Sequence, residues 1–134
     1  MKIISHFLIP KHKVVYVYDD FTVKEALEKI KPTRFSAIPI LDREGHYVGT
    51  LSEGDLLWFI QSKGFADFED AKVSEVPRHR DNEPLDIKAN NEILLSKAID
   101  ENFVPIIDDQ KIFTGIVTRK ELLNYFFERK FIIL

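Results

Sequence analysis

This chain is written twice, and that repetition constrains its fold more than any other feature. "IPILDREGHYVGTLSEGDLL" runs from Ile38 to Leu57, and "VPIIDDQKIFTGIVTRKELL" runs from Val104 to Leu123. In register, Pro39 falls on Pro105, Asp42 on Asp108, Gly49 on Gly115, Ser52 on Thr118 and Leu56 on Leu122, each pair 66 residues apart. A fixed internal period decides architecture before any single element does, and two copies are too few for a solenoid. The repetition therefore predicts two similar halves related by a pseudo-two-fold axis. The junction is expected in "SKGFADFEDAK", residues 62–72, which places a glycine and several acids between apolar segments and divides the chain into 1–68 and 69–134.

Each copy reads the same way. "AIPIL" and "FVPII" are short runs rich in Ile and Val, suited to buried strands. "DREGH" and "DDQKI" are polar turns, the first with Asp and Gly where a hairpin wants them. "YVGTL" and "FTGIV" resume the strand. "SEGDLLWFIQSKG" and "TRKELLNYFFERK" then open on Ser52 and Thr118, with Asp55 and Glu121 three residues on, which is a helix start. Upstream, "FTVKEALEKIK" starts a helix on Thr22 with Glu25 three residues later, and Val23, Ala26, Leu27 and Ile30 recur at helical spacing. Its counterpart is "NNEILLSKAID". "KVVYVY" and "PLDIKA" supply the leading strands. Each half is strand, helix, strand, strand, helix, an α+β arrangement of a short sheet packed with helices.

A length of 134 residues suits one compact domain, and 45% hydrophobic with 12% aromatic residues supplies a core. A net charge of -3 exerts no general pull on nucleic acid. The basic clusters Lys11-His12-Lys13, Arg78-His79-Arg80 and Arg119-Lys120 are short and define no basic helix face, so no nucleic-acid partner is expected. The chain has no cysteine, which removes disulfide and thiolate chemistry. "MKIISHFLIP" is too short and too polar for a secretory h-region, and no apolar run approaches the roughly 20 residues of a membrane span. A cytoplasmic location without membrane attachment is expected. His6, His12, His46 and His79 lack metal-ligand spacing, so no metal or cofactor is expected and surface or capping roles are. Neither a phosphate-cradling G-x-x-x-x-G-K-[ST] loop nor a nucleophile elbow occurs, and no catalytic set is visible, so an enzyme is not expected.

The paired x-P-[IV]-[IVL]-D and G-x-x-[ST]-x-x-[DE] motifs resemble the CBS domain, and two in tandem resemble the small stand-alone Bateman module. The resemblance covers nearly the whole chain, including "FLIPKHKVVYVYDDFTVKEAL" and "VSEVPRHRDNEPL". It implies a regulatory module that binds an adenosine-containing ligand (AMP, ADP, ATP or cyclic di-AMP, with an S-adenosyl compound less favoured) in the cleft between the halves. It also implies that backbone groups of Ala37, Ile38 and Pro39, and of Phe103, Val104 and Pro105, meet an adenine edge. The rival reading is a ligand-free protein-interaction module.

Physical chemistry adds roles to the motif residues. Ser52 and Thr118 at strand-to-helix turns can donate to a phosphate beside free helical N–H groups, where the dipole favours an anion by about 0.3–1 kcal/mol. Asp55, an acceptor-only carboxylate, can take both hydroxyls of a ribose. Arg119 and Lys120 put two cations beside Thr118, whereas Glu53 lies beside Ser52. The first half is thus expected to hold ribose and the second phosphate, with Glu121 in place of the family's Asp. Gly49 and Gly115 are expected to keep side chains out of a ligand's path. The plainer alternative makes Ser52 and Thr118 ordinary N-caps worth about 1 kcal/mol each, with Asp55 and Glu121 closing capping boxes. Finally, Trp58, Phe59, Tyr125, Phe126 and Phe127 crowd two helices, and with the terminal "FIIL" they suggest a partner surface, expected to be a homodimer interface at Trp58, Phe59, Tyr125 and Phe126, with a further protein partner beyond it.

Overall fold

A computed structural model of the chain describes residues 3–133, with side chains described through residue 127. The Phe131–Leu134 run offered above to a partner lies outside the residues whose side chains are described. The chain divides into two compact units, one of residues 15–81 and one of residues 82–134 together with the segment that ends at Val14.

In the 15–81 unit, strands β2 (Val17–Tyr18), β3 (Ala37–Leu41) and β4 (Tyr47–Ser52) form a sheet in the order β2-β3-β4. β2 and β3 run parallel and are joined through helix α2 (Val23–Ile30); β3 and β4 form an antiparallel hairpin that leads into helix α3 (Glu53–Lys63). A parallel pair needs such a crossover, whereas the hairpin needs only a turn. Thr22 closes α2 with the expected capping box: its Oγ1 accepts from Glu25 N at 3.1 Å, and Glu25 Oε1 accepts from Thr22 N at 3.0 Å. Val23, Ala26 and Ile30 then face a core that includes Ile38, Leu51, Leu56 and Phe59.

The other unit repeats this plan. Its sheet runs β1 (Ile9–Pro10), β7 (Phe113–Thr118), β6 (Phe103–Ile107), β5 (Leu85–Asp86), with helices α1 (Ile3–Phe7), α4 (Asn91–Asp100) and α5 (Arg119–Ile133). Asn90 caps α4 by accepting from Ile93 N at 2.9 Å. Ile4, Leu94, Val104, Ile106, Val117 and Leu122 sit in a core of their own. The hairpin turns match atom for atom. Asp42 Oδ1 accepts from Glu44 N and His46 N, and Asp108 Oδ1 accepts from Gln110 N and Ile112 N. Gly45 takes φ 94° and Lys111, its counterpart, takes φ 66°. Only the first turn uses the residue that reaches the left-handed region without steric cost. A register shift follows at Ile40/Leu41 and again at Ile106/Ile107.

These units do not divide at the expected 68/69 junction. The reason is what covers the outer sheet edges. β7 would be an edge strand, but β1 pairs with it antiparallel, Ile9 opposite Ile116 and Pro10 opposite Gly115. β4 is covered instead by residues 78–81: Asp81 Oδ1 accepts from Thr50 N at 3.0 Å and from Arg78 Nε at 2.8 Å. "IPKHK" (9–13) and "VPRHR" (76–80) are matching segments. Each precedes one repeat and packs on the sheet of the other. Bare edges invite aggregation, so both repeats have reason to cover them.

The expected role of the two glycines changes accordingly. A Cβ on Gly49 would stand 2.5 Å from Asp81 Oδ1 and 2.7 Å from Arg78 Nε, and one on Gly115 would collide with the carbonyl oxygen of Ile9. Both glycines admit the chain's own covering segment rather than a ligand.

Candidate functional site

The motif residues occupy the strand-to-helix corner of each repeat. Ser52 ends β4 and caps α3, its Oγ accepting from Asp55 N at 3.0 Å. Accepting that bond leaves the hydroxyl proton to be donated outward. Asp55 is only 9% exposed, and its Oδ1 accepts from His79 N at 3.2 Å. The expected capping box with Ser52 is therefore half-formed: the carboxylate turns to the 78–81 segment rather than back to the cap. Sequence reasoning missed this role of His79, because a backbone N–H leaves no mark in a sequence.

The second corner is more open. Thr118 Oγ1 accepts from Glu121 N at 3.2 Å, and Arg119, Lys120 and Glu121 are all exposed. Arg119 Nη1 donates to the carbonyl of Ile99 at 3.1 Å, near the end of α4. One of its five N–H groups is thus spent on a helix C-terminus, where a cation is also favoured by the dipole. The two corners share a backbone link, Glu53 N to Ser36 O at 2.9 Å and Arg119 N to Asn102 O at 3.0 Å.

That link fixes which strand groups face outward. Residues of an antiparallel pair alternate between hydrogen-bonded and non-hydrogen-bonded partners. With Ser36 bonded to Glu53, the pair Ala37 and Ser52 is a non-hydrogen-bonded one, and so is Phe103 with Thr118. The N–H and C=O of Ala37 therefore point away from β4. β2 reaches only Ile40 and Leu41, so it does not cover Ala37. Pro39 lacks an N–H and loses nothing at that edge. Ala37 is half-buried; Ile38, Pro39, Phe103, Val104 and Pro105 are buried, so only their backbone groups can face a ligand. On β6, Asn82, itself 7% exposed, donates Nδ2–H to the Phe103 carbonyl at 2.9 Å.

The aromatic residues separate into two groups. Trp58 is 68% exposed and Phe126 43%, but Phe59 is 7% exposed and belongs to the core. Phe59 is therefore not an interface residue: it lies three residues from Leu56 and shares its inward helix face. Tyr125 is half-buried against Phe7, ring centroids 4.8 Å apart. The outward positions that the sequence reading passed over are Leu57 and Leu123, equivalent residues that are 70% and 64% exposed. A groove of about 610 Å³ runs beside Leu57, lined by Leu27, Leu56, Ile60 and Phe68 and rimmed by charged residues such as Lys31. Two histidines are accounted for locally. His46 Nδ1 lies 3.0 Å from Asp42 Oδ2, and His6 packs edge-on to Phe7. Among the described residues no helix is long and apolar enough to cross a membrane.

A short sheet entered through a crossover helix, a hairpin bearing the proline and glycine, and a Ser/Thr-capped helix, all present twice, define a tandem CBS-domain protein. A CBS-domain profile matches residues 4–62, the stretch that holds the first repeat. The cyclic di-AMP receptor B of Bacillus subtilis is 25% identical over 129 residues, which cover 90% of this chain and 84% of the relative. The CbpB protein of Listeria monocytogenes, solved in complex with c-di-AMP, superposes with a TM-score of 0.81 at 27% identity, covering 98% of each chain. A hypothetical conserved protein of Geobacillus kaustophilus superposes with a TM-score of 0.86 at 28% identity, covering 96% of this chain and 98% of the neighbour.

Proposed function

We propose that this chain is a cytoplasmic regulatory module, not an enzyme, that binds an adenosine nucleotide, with cyclic di-AMP the first ligand to test. One observation carries the reading. Ala37, whose backbone groups face outward, is the register partner of Ser52, whose hydroxyl caps the start of α3. A polar strand edge suited to a nucleobase thus adjoins a hydroxyl and a helix N-terminus suited to sugar and phosphate. The likeness to a cyclic di-AMP receptor and to a c-di-AMP complex supports the choice of ligand. In this reading Ala37, Ile38 and Pro39 meet the base and Ser52 the sugar-phosphate. Asp55 offers Oδ2 to the ribose, Oδ1 being held by His79. Arg119 and Lys120 attract phosphate beside Thr118, and Glu121 contributes least.

Thermal unfolding with AMP, ADP, ATP, cyclic di-AMP and S-adenosylmethionine tests it. A ligand at 100 times its Kd adds about 2.7 kcal/mol, a melting shift on the order of 10 °C for a domain of this size. No shift with any adenosine compound refutes the reading. The exposed Leu57, Trp58, Leu123 and Phe126 favour a second function for the same chain, homodimer formation through the outer helix faces, by which ligand occupancy would be passed to a protein partner.

A further inference from the structure

We infer that Asn82 makes the two nucleoside half-sites unequal at the base. By holding the Phe103 carbonyl it closes the strand edge of the second repeat, so an adenine is read at Ala37–Pro39 and not at Phe103–Pro105. The inference rests on the nucleotide reading above and deepens it.

Ala37 and Phe103 are equivalent residues in equivalent register, opposite Ser52 and Thr118. Both turn their backbone N–H and C=O to the side away from the hairpin partner, by the alternation of an antiparallel pair. An adenine edge presents one donor and adjacent acceptors, and a strand edge with a free N–H and C=O matches it. At Phe103 that carbonyl already accepts from Asn82 Nδ2 at 2.9 Å. A carbonyl has a second lone pair, but with Asn82 7% exposed and Phe103 5% exposed, little of that edge is open to solvent. In the first repeat the residue three before the leading strand is Val14, as Asn82 is three before Leu85, and a valine side chain cannot donate. Among the described residues no hydrogen bond to a side chain closes the Ala37 edge. An asparagine at one equivalent position and a valine at the other thus set which repeat can read a base.

Calorimetry with AMP, which carries one base, and ¹⁵N-resolved titration of the same chain test this. The wild type is expected to bind one AMP per chain, with the Ala37 amide shifting on titration and the Phe103 amide still. Asn82→Ala is expected to bring the Phe103 amide into the response and raise the stoichiometry toward two. Ala37→Pro removes the edge N–H, as Pro39 already does two residues on, and is expected to weaken AMP at least tenfold. Two AMP per wild-type chain, or a Phe103 amide that shifts as much as that of Ala37, overturns the inference while leaving the nucleotide reading intact. No binding of any adenosine compound, AMP and cyclic di-AMP included, removes the nucleotide reading itself, and the inference falls with it. The wild-type titration decides the matter even where Asn82→Ala fails to fold.

Discussion

Gly115 lies hard against the carbonyl oxygen of Ile9, with no space between them for a side chain. Its φ of 155° adds a backbone cost for any other residue. Gly115→Ala must push β1 off the edge of β7. It is expected to destabilise by about 1–3 kcal/mol, as overpacking does. Gly54 provides the control: an added Cβ meets only Ser52 Oγ at 3.9 Å. Gly54→Ala is expected to stabilise by about 0.5–1 kcal/mol through helix propensity. Urea unfolding of both variants gives the opposite signs directly.

Asp55 has two duties, and two substitutions separate them. Asp55→Asn keeps an oxygen for His79 N and loses the charge. It is expected to leave stability within about 1 kcal/mol of wild type and to weaken adenosine nucleotides, since a charge-assisted bond is worth roughly twice a neutral one. Asp55→Ala loses both duties and is expected to cost about 1–3 kcal/mol of stability as well. Equal nucleotide affinity for Asp55→Asn and wild type would remove Asp55 from the site.

Trp58 and Phe59 are neighbours with opposite expectations. Trp58→Glu alters a residue 68% exposed and is expected to raise the monomer fraction in sedimentation, lowering the melting temperature only by the loss of dimer mass action. Phe59→Ala opens a hole in the core and is expected to cost about 3–5 kcal/mol. A wild-type chain that sediments as a monomer at high micromolar concentration rules out the dimer.

The Asp42 carboxyl titrates below the usual aspartate range, first because it accepts from the His46 backbone N–H and further because of the His46 ring and Glu44 N. A folded pKa below the unfolded one stabilises above the ordinary value near about 3.9, and that contribution fades as pH falls through the folded pKa. Asp42→Asn keeps the turn acceptor and removes the titration. Melting temperatures from pH 5 to pH 3 are expected to fall less steeply for Asp42→Asn than for wild type. Identical slopes refute the assignment.

What the sequence made legible was local. Thr22 and Glu25 announced the α2 cap, and the two Asp-led turns and the strand-helix-strand-strand-helix order followed from spacing alone. The inward and outward faces of α3 were misread because its aromatics adjoin: Phe59 packs with Leu56 while Trp58 does not, and composition does not tell neighbours apart on a helix. The glycines were recognised as tight positions but given the wrong neighbour, since nothing local to Gly115 points to Ile9. Asn82 was not singled out at all, because its partner Phe103 is twenty-one residues away.

The crossed covering segments govern the order in which the chain can be completed as it is made. Residues 15–81 hold every element of their own sheet, so that unit can close as soon as residue 81 has left the ribosome. Ile9 must wait for Ile116, about a hundred residues later, and closing so long a loop is a slow step in folding. Until then Ile9 and Pro10 lack their strand partner. A fragment cut between the two repeats would strand each covering segment on the wrong side of the cut, leaving β7 bare in the second piece although every residue of the second repeat is present.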